Sequence, residues 1–438
     1  MPIFVSNLDG WVNPAEVFVA LHASDENAFW LDREIHPSDR FTVIGASANV
    51  LRQQSGSFAP LKNQLASAKL VADVEVPFEF RPGLVGYITY ESESVFLQVD
   101  RAMVFDHDAK KIYFIGEFDT PSDFDAWHHA ALLRLALCGG ELAAYRLRHE
   151  SLKANEATVR HSDREYLELI ERAQQHIAAG DVYQLCLTNQ IELKVEGNAL
   201  VTFLNLRESN PAPYAAYLKL GDQEILCCSP EQFLRIDSER MVSSKPIKGT
   251  RRRDSDALID SALAQELRDD EKERAENLMI VDLMRNDIGR VAEVDSVRVD
   301  KLFEVESYAT VHQLVSTVQA KLALNFDSCD AIEAAFPGGS MTGAPKLRAM
   351  QIISSLEDKP SASGRGIYSG ALGYLTRGGV TDLGMTIRTI IVKSGFATIG
   401  VGGGITIDSQ PKAELEETKL KASALLRALR APNPWAIS

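Results

Sequence analysis

Residues 243–253 read SSKPIKGTRRR, and the chain changes character on either side of them. Pro246 fixes the backbone before Lys248 and Gly249 frees it afterwards, which favours a tight, non-helical presentation of one primary amine. A lysine presented in this way is a candidate nucleophile, provided that it sheds its proton near neutral pH. Partial burial or neighbouring positive charge achieves that, and Lys245 with Arg251, Arg252 and Arg253 is the expected source of charge. The same basic run also suits a solvated face or an anion patch, so the decision rests on what surrounds it.

Downstream, Asp256 to Asp287 reads as one long helix ended by Gly289. Its second half, KERAENLMIVDLMRND over residues 272–287, sets Glu273 and Glu276 three apart and therefore on one face. The apolar run Leu278-Met279-Ile280-Val281 is expected to be buried, which draws those carboxylates towards a core. Further on, Asp408-Ser409-Gln410-Pro411 is a helix-start signal. In the KAELEETKLKASALLRALR that follows, Glu414, Glu417 and Lys421 fall within about 60° of one another, beside an apolar stripe of Leu415, Ala422, Leu425 and Leu429. Alone, Glu417 and Lys421 make an ordinary surface pair. Two E-x-x-E pairs on two helices offer more. Where such helices converge, they supply the hard oxygen ligands that Mg²⁺ takes, with waters and substrate oxygens completing its octahedron.

Between the helices lie two glycine-rich runs, PGGSMTGAPK at 337–346 and GVGGGI at 400–405. Both read as turns whose backbone N–H groups can approach an anion closely. Neither matches G-x-x-x-x-G-K-[ST], which weakens a nucleotide-binding reading. Tyr368 and Arg388 fall in β-rich runs, and a guanidinium amid Ile and Met is expected to have a carboxylate partner.

Upstream, Cys227-Cys228-Ser229-Pro230-Glu231-Gln232-Phe233 puts a carboxylic acid beside a proline turn among apolar neighbours. Such surroundings raise a carboxyl pKa and suit a general acid, although a capping or surface Glu is the plainer alternative. Asp181–Thr188 is β-rich, so Tyr183 and Gln184 take opposite sides, and a part-buried Gln184 needs a backbone or substrate partner. Before it, Ser162 and Glu165 form a capping box, Tyr166, Ile170, Ala173 and Ile177 line one helix face, and Gly180 stops the helix. Glu150 to Thr158 is polar and weakly periodic. It is the expected boundary between an N-terminal β-rich region, residues 1–150, and a catalytic region, residues 155–438. In the first, Phe29–Asp32, Phe41–Ile44, Lys111–Ile115 and the segment after Arg81-Pro82-Gly83 read as strands, and 126–136 as helix. His128 and His129 are adjacent and point to different sides of any regular element, which argues against a metal pair.

With 438 residues, 45% hydrophobic and 24% charged, the composition is that of a globular chain of about two or three domains. No apolar run is long enough to span a bilayer, and the start does not read as a signal peptide, so a cytoplasmic enzyme is expected. Five scattered cysteines without a C-x-x-C pair argue against a disulfide framework or a zinc site. A net charge of −15 disfavours nucleic acid and anionic membranes as partners.

In order along the chain, PIKGT, AENLMIVDLMRNDIGR, VHQLVST, FPGGSMTGAPK, GIYSGALGY, TIRT, GGGI and E-x-x-E-T-x-x-K resemble the motifs of the chorismate-utilising enzymes, over about residues 160–430. FWLD, RPGLVGYITYE and VFDHDAKKIYFIG are more weakly similar to the N-terminal region of anthranilate synthase component I. Lys248 in PIKGT resembles the aminodeoxychorismate synthase component I branch, where anthranilate synthases carry Ala, whereas Arg251 to Arg253 look more like the latter. Gln184 stands where isochorismate and salicylate synthases place a water-activating lysine.

The resemblance implies an α+β fold with extended antiparallel sheets packed between helices, chorismate as substrate and Mg²⁺ as cofactor. It implies Glu276 and Glu417 as principal metal ligands with Glu273 and Glu414 nearby, Glu231 as general acid, and Lys248 as a nucleophile at C2. Substrate binding is implied for Gln184, Gly249, Thr250, His312, Thr342, Gly343, Tyr368, Arg388 and Lys421, and for the amides of Gly402, Gly403 and Gly404. The implied reaction is amination at C4 to 4-amino-4-deoxychorismate, for para-aminobenzoate and folate synthesis, with ammonia from a separate glutamine amidotransferase subunit. Attack of ammonia at C2 with loss of pyruvate, giving anthranilate, is the alternative. A non-catalytic binding subunit is the remote one.

Overall fold

Runs of β-branched and aromatic residues along the chain become strands, and these join into two large antiparallel sheets. The computed structural model describes residues 1–438 apart from 55, 57, 67–73, 309–310, 360–363 and 436–438. One sheet runs in the order Ile3–Asp9, Lys111–Glu117, Arg101–Asp106, Phe41–Ala46, Asn27–Asp32, Tyr214–Leu220, Gln223–Ser229, Thr389–Lys393, Phe396–Ile405, Gln184–Glu196 and Gly343–Ala344. The other runs Ile247–Arg252, Val311–Lys321, Met241–Lys245, Gln232–Ile236, Thr381–Met385, Ala371–Thr376, Gly83–Ile88, Ser94–Val99 and Val50–Gln53. Each sheet joins a block of strands from before residue 120 to a block from beyond 180. Asn27–Asp32 pairs with Tyr214–Leu220, and Gly83–Ile88 with Ala371–Thr376. The polar stretch read as a boundary forms Lys153–Val159, which pairs with Gln184–Glu196.

The sheets face one another across a core that includes Phe29, Val43, Val85, Leu97, Leu218 and Tyr374. Helices cover their outer faces. Pro14–His22, Pro121–Ala136 and Ala199–Ser209 bring Phe18, Leu135 and Phe203 onto Trp30 and Phe114 of the first sheet. Glu271–Gly289 and Ser328–Ala335 bring Ile280, Met284 and Ile332 onto Phe233 and Val318 of the second. Full burial of one such Phe or Leu is worth about 1.5–3 kcal/mol, so the layered arrangement follows from one-faced apolar patterning. Asp163–Ala178 begins at the Ser162–Glu165 capping box, and Gly180 beyond its end has φ 79°.

Three expectations change. The long helix is broken at Asp270 into Ala257–Asp269 and Glu271–Gly289. Asp270 takes an extended ψ of 107° and its carboxylate accepts from the Glu273 backbone N–H at 3.0 Å, so it caps a new helix rather than continuing the old one. The run at 400–405 is strand, paired with Gln184–Glu196, rather than turn. Leu278 is half exposed, while Ile280 and Val281 carry the burial on that helix. Among the described residues no helix is long and apolar enough to cross a membrane.

Candidate active site

A cavity of about 600 Å³ opens where the Ile247–Arg252 strand of one sheet and the Phe396–Ile405 strand of the other meet the helices Glu271–Gly289 and Pro411–Ala428. The glycines make room for it. A Cβ at Gly404 would lie 3.2 Å from Lys248 Nζ and 3.5 Å from Glu276 Oε2, and one at Gly403 3.5 Å from Glu414 Oε2 and 3.6 Å from Lys421 Nζ. The glycine density therefore serves a strand whose bare backbone forms the cavity wall. Gly249, at φ 78°, has a different reason: a Cβ there would lie 3.0 Å from the Glu273 side chain and 2.7 Å from Leu267.

Glu273, Glu276, Glu414 and Glu417 all line this cavity, so the two E-x-x-E pairs converge. Lysines answer them. Lys248 Nζ stands 3.6 Å from Glu276, Lys421 Nζ 2.7 Å from Glu417, and Lys272 Nζ 3.3 Å from Glu414 and 3.8 Å from Glu276. Lys421 also donates to the Gly402 carbonyl at 2.9 Å.

Burial pulls the Lys248 pKa down, but the negative groups around it, Glu276 foremost and also Glu231 and Glu273, outweigh burial and leave it raised. The arginines expected to lower it do not. Arg251 is committed to Glu266 and Asp270 at 2.9 and 2.8 Å, and Arg253 to Asp260 at 2.8 Å. Glu231, across the cavity, is buried, and burial pushes its carboxyl up to about 7 against the opposing pull of the Ser340 hydroxyl and the Lys248 and Lys421 charges. Arg388 adopts a φ of 51° and faces the cavity. Burial lowers its pKa against the opposing pull of Tyr368 and Glu417, and the carboxylate ion pair expected for it is not formed among the described residues. Tyr368 is buried and held neutral, its hydroxyl pKa pushed far up by burial.

Thr250 lines the cavity as well. Gln184, His312, Thr342 and Gly343 do not. Gln184 is buried under the Gly343–Ala344 strand, and its Oε1 lacks a partner among the described residues. Gly343 is a packing glycine whose Cβ would lie 2.9 Å from Ala349. Thr342 donates to the Gly338 carbonyl at 3.2 Å. His312 sits between Ser307 and Asp260, at 2.8 and 2.9 Å. Strand alternation turns it away and presents Val311 and Gln313 to the cavity instead. Gln313 and Lys272 were absent from the sequence reading. The i,i+4 spacing of Lys272 and Glu276 was an available signal. Arg365 was also missed: fully enclosed, it pairs with Glu357 at 2.6 Å and donates to the carbonyls of Met341 and Cys186 at 2.6 and 2.7 Å, tying together segments of the cavity wall.

The donor set suits a small hard cation that keeps waters. Hard carboxylate oxygens line one wall, yet among the described residues no group of three His, Cys, Asp or Glu is close enough to ligate an ion with protein groups alone. Mg²⁺ takes one or two carboxylates and fills its shell with water and substrate oxygens.

Residues 26–427 match the chorismate binding enzyme family. The chain is 41% identical to an aminodeoxychorismate synthase of Streptomyces pristinaespiralis over 94% of its own length and 63% of the relative's, so it spans under two thirds of that protein. It is 35% identical to anthranilate synthase component 1 of Streptomyces coelicolor, over 98% of this chain and 89% of that one. The crystal structure of anthranilate synthase component I from Streptococcus pneumoniae TIGR4 superposes with a TM-score of 0.74 at 29% identity, covering 97% of this chain and 92% of that one. The α+β fold of extended antiparallel sheets between helices is thus the fold of chorismate-utilising enzymes.

Proposed function

The chain belongs to the chorismate binding enzyme family, and from that premise we propose that it is the chorismate-aminating component of an aminodeoxychorismate synthase. The observation that carries the reading is a largely buried amine, Lys248, and a buried acid, Glu231, on the walls of one cavity. The identity to a protein of that name supports it. Chorismate is a dianion. Arg388, Lys421, the neutral Tyr368 hydroxyl and the amides of Gly402 to Gly404 are the groups that would hold its two carboxylates, and the Arg388 guanidinium, in no ion pair among the described residues, is the most specific of them.

Glu276 and Glu417 would hold Mg²⁺, with Glu273 and Glu414 beside them, and the ion would withdraw electrons through the ring carboxylate. Lys248 releases its proton to solvent once Glu276 is engaged elsewhere, because Glu276 is its leading negative neighbour. Its Nζ then bonds to C2, the ring double bonds shift, and the C4–O bond breaks. Glu231, holding a proton near neutral pH, delivers it so that the hydroxyl leaves as water. Ammonia bonds to C4 and passes one proton to the Glu231 carboxylate, restoring the acid, while the double bonds shift back and the C2–Nζ bond breaks to free Lys248 as the neutral amine. Chorismate and ammonia become 4-amino-4-deoxychorismate and water, with the enolpyruvyl group retained. Ammonia from a glutamine amidotransferase subunit and a cytoplasmic setting belong to the same reading, and the five free cysteines fit a reducing compartment.

Mass spectrometry tests it. Chorismate with Mg²⁺ and ammonium salt should yield 4-amino-4-deoxychorismate. Without ammonia, the intact chain should gain chorismate minus one water, and Lys248→Ala should lose that adduct. Anthranilate with pyruvate and no adduct would overturn the proposal in favour of the anthranilate synthase reading, which the Streptomyces coelicolor relative supports.

A further inference from the structure

Lys272 breaks the local rules of the helix that carries it. It lies in the first turn of Glu271–Gly289, where the helix dipole favours anions over cations. It also precedes Glu276 by four residues, the less favourable order for such a pair. Its explanation lies across the cavity. Its ammonium bridges Glu276 on its own helix and Glu414 on Pro411–Ala428, at 3.8 and 3.3 Å. Both carboxylates are buried, at 7% and 4% exposure, and a buried carboxylate needs a countercharge. Lys272 itself is half exposed, unlike Lys248, enclosed beside Glu276, and Lys421, tied to Glu417 and the Gly402 carbonyl. Of the three lysines it is the most exposed, and so the one best placed to withdraw into solvent.

We propose that Lys272 is a tethered stand-in for the divalent cation, a positioning residue that keeps the carboxylates of the two helices together and yields its place when the ion binds. The inference rests on the Mg²⁺ reading of this site. A divalent ion held by Glu276 and Glu417 would compete with the Lys272 ammonium, since both draw on Glu276 and like charges repel within one cavity. Binding of the ion therefore exchanges one countercharge for another, and the ammonium weakens the apparent affinity while preserving the geometry.

The test uses the full chain without substrate, with Mn²⁺ as the probe and free ion followed by its electron paramagnetic resonance signal. Lys272→Met keeps the stem and removes the charge, and should tighten Mn²⁺ binding by about five- to tenfold, the range for one or two partly exposed ion pairs. Without metal, the same variant should melt at a lower temperature than the unmodified chain, and saturating Mn²⁺ should close that gap. Lys272→Arg, which keeps a cation there, should bind Mn²⁺ within about twofold of the unmodified chain, a change too small to register as a lost ion pair. Binding by Lys272→Met no tighter than by the unmodified chain, where the latter does bind Mn²⁺, overturns the stand-in alone. No Mn²⁺ binding by either, or binding undiminished in Glu276→Gln and Glu417→Gln, overturns the stand-in together with the metal reading.

Discussion

Replacing Glu231 by Gln is expected to stabilise the protein progressively as pH rises while removing most of its turnover. In the folded chain the carboxyl is displaced from its ordinary 4.5 to about 7, chiefly by burial. For a folded-state pKa above the unfolded one, the associated stability is fully present below 4.5 and is lost as pH rises through about 7. At about 1.36 kcal/mol per pH unit, the loss between pH 5 and pH 8 integrates to about 2.5 kcal/mol. Gln has no such dependence. The stability of Glu231→Gln relative to the unmodified chain should therefore climb by about 2.5 kcal/mol over that interval, whatever fixed amount the buried amide costs. Urea unfolding at the two pH values measures the difference. Amination at pH 7 and fixed free ammonia, followed by product mass, should meanwhile fall about 10²- to 10⁴-fold, as for loss of a general acid. A relative stability that is the same at both pH values, or an unimpaired turnover, would refute a buried acid that holds its proton near neutrality.

Glu276→Gln and Glu417→Gln should each abolish turnover with the circular dichroism spectrum unchanged, and full activity of either variant in EDTA would remove the metal from the reaction. Arg251→Gln should leave the pH dependence of adduct formation on Lys248 in place, because that guanidinium is spent on Glu266 and Asp270. A profile moved to higher pH would show instead that Arg251 depresses the amine's pKa.

Much of the fold was legible because its signals are local. Ser162 with Glu165 announces a helix start through two reciprocal hydrogen bonds within four residues, and Tyr166, Ile170 and Ala173 bury the helix face that their spacing marks out. The misreadings share a cause. Gly400 to Gly404 look like a turn because glycine is cheap in turns, yet each is small for a reason set by a distant segment: Tyr368 against Gly400, Leu187 and Thr188 against Gly402, Lys248 and Glu276 against Gly404. Asp270 reads as one more residue of a polar helix until its carboxylate is seen to cap Glu273 and receive Arg251.

The site divides along the same line. Carboxylates spaced three apart on helices are visible in the sequence, and the structure brings both pairs to one cavity. Which charges govern Lys248 is not visible, because sequence neighbours and spatial neighbours differ. The strand Ile247–Arg252 runs on from Lys248 to its arginines, and those side chains meet acids of the two following helices, Asp260, Glu266 and Asp270. The amine is left facing Glu276, and the net effect on its pKa has the opposite sign from the one its basic neighbours suggested. If Lys248 is the nucleophile proposed, an amine held protonated by the same carboxylates that would hold a cation would couple the two functions. In the proposed reaction the amine would stay protonated while Glu276 is free and become available when Glu276 is occupied. The enzyme proposed here would thus be armed only when its metal carboxylates are engaged, a dependence that no eleven-residue motif around Lys248 contains.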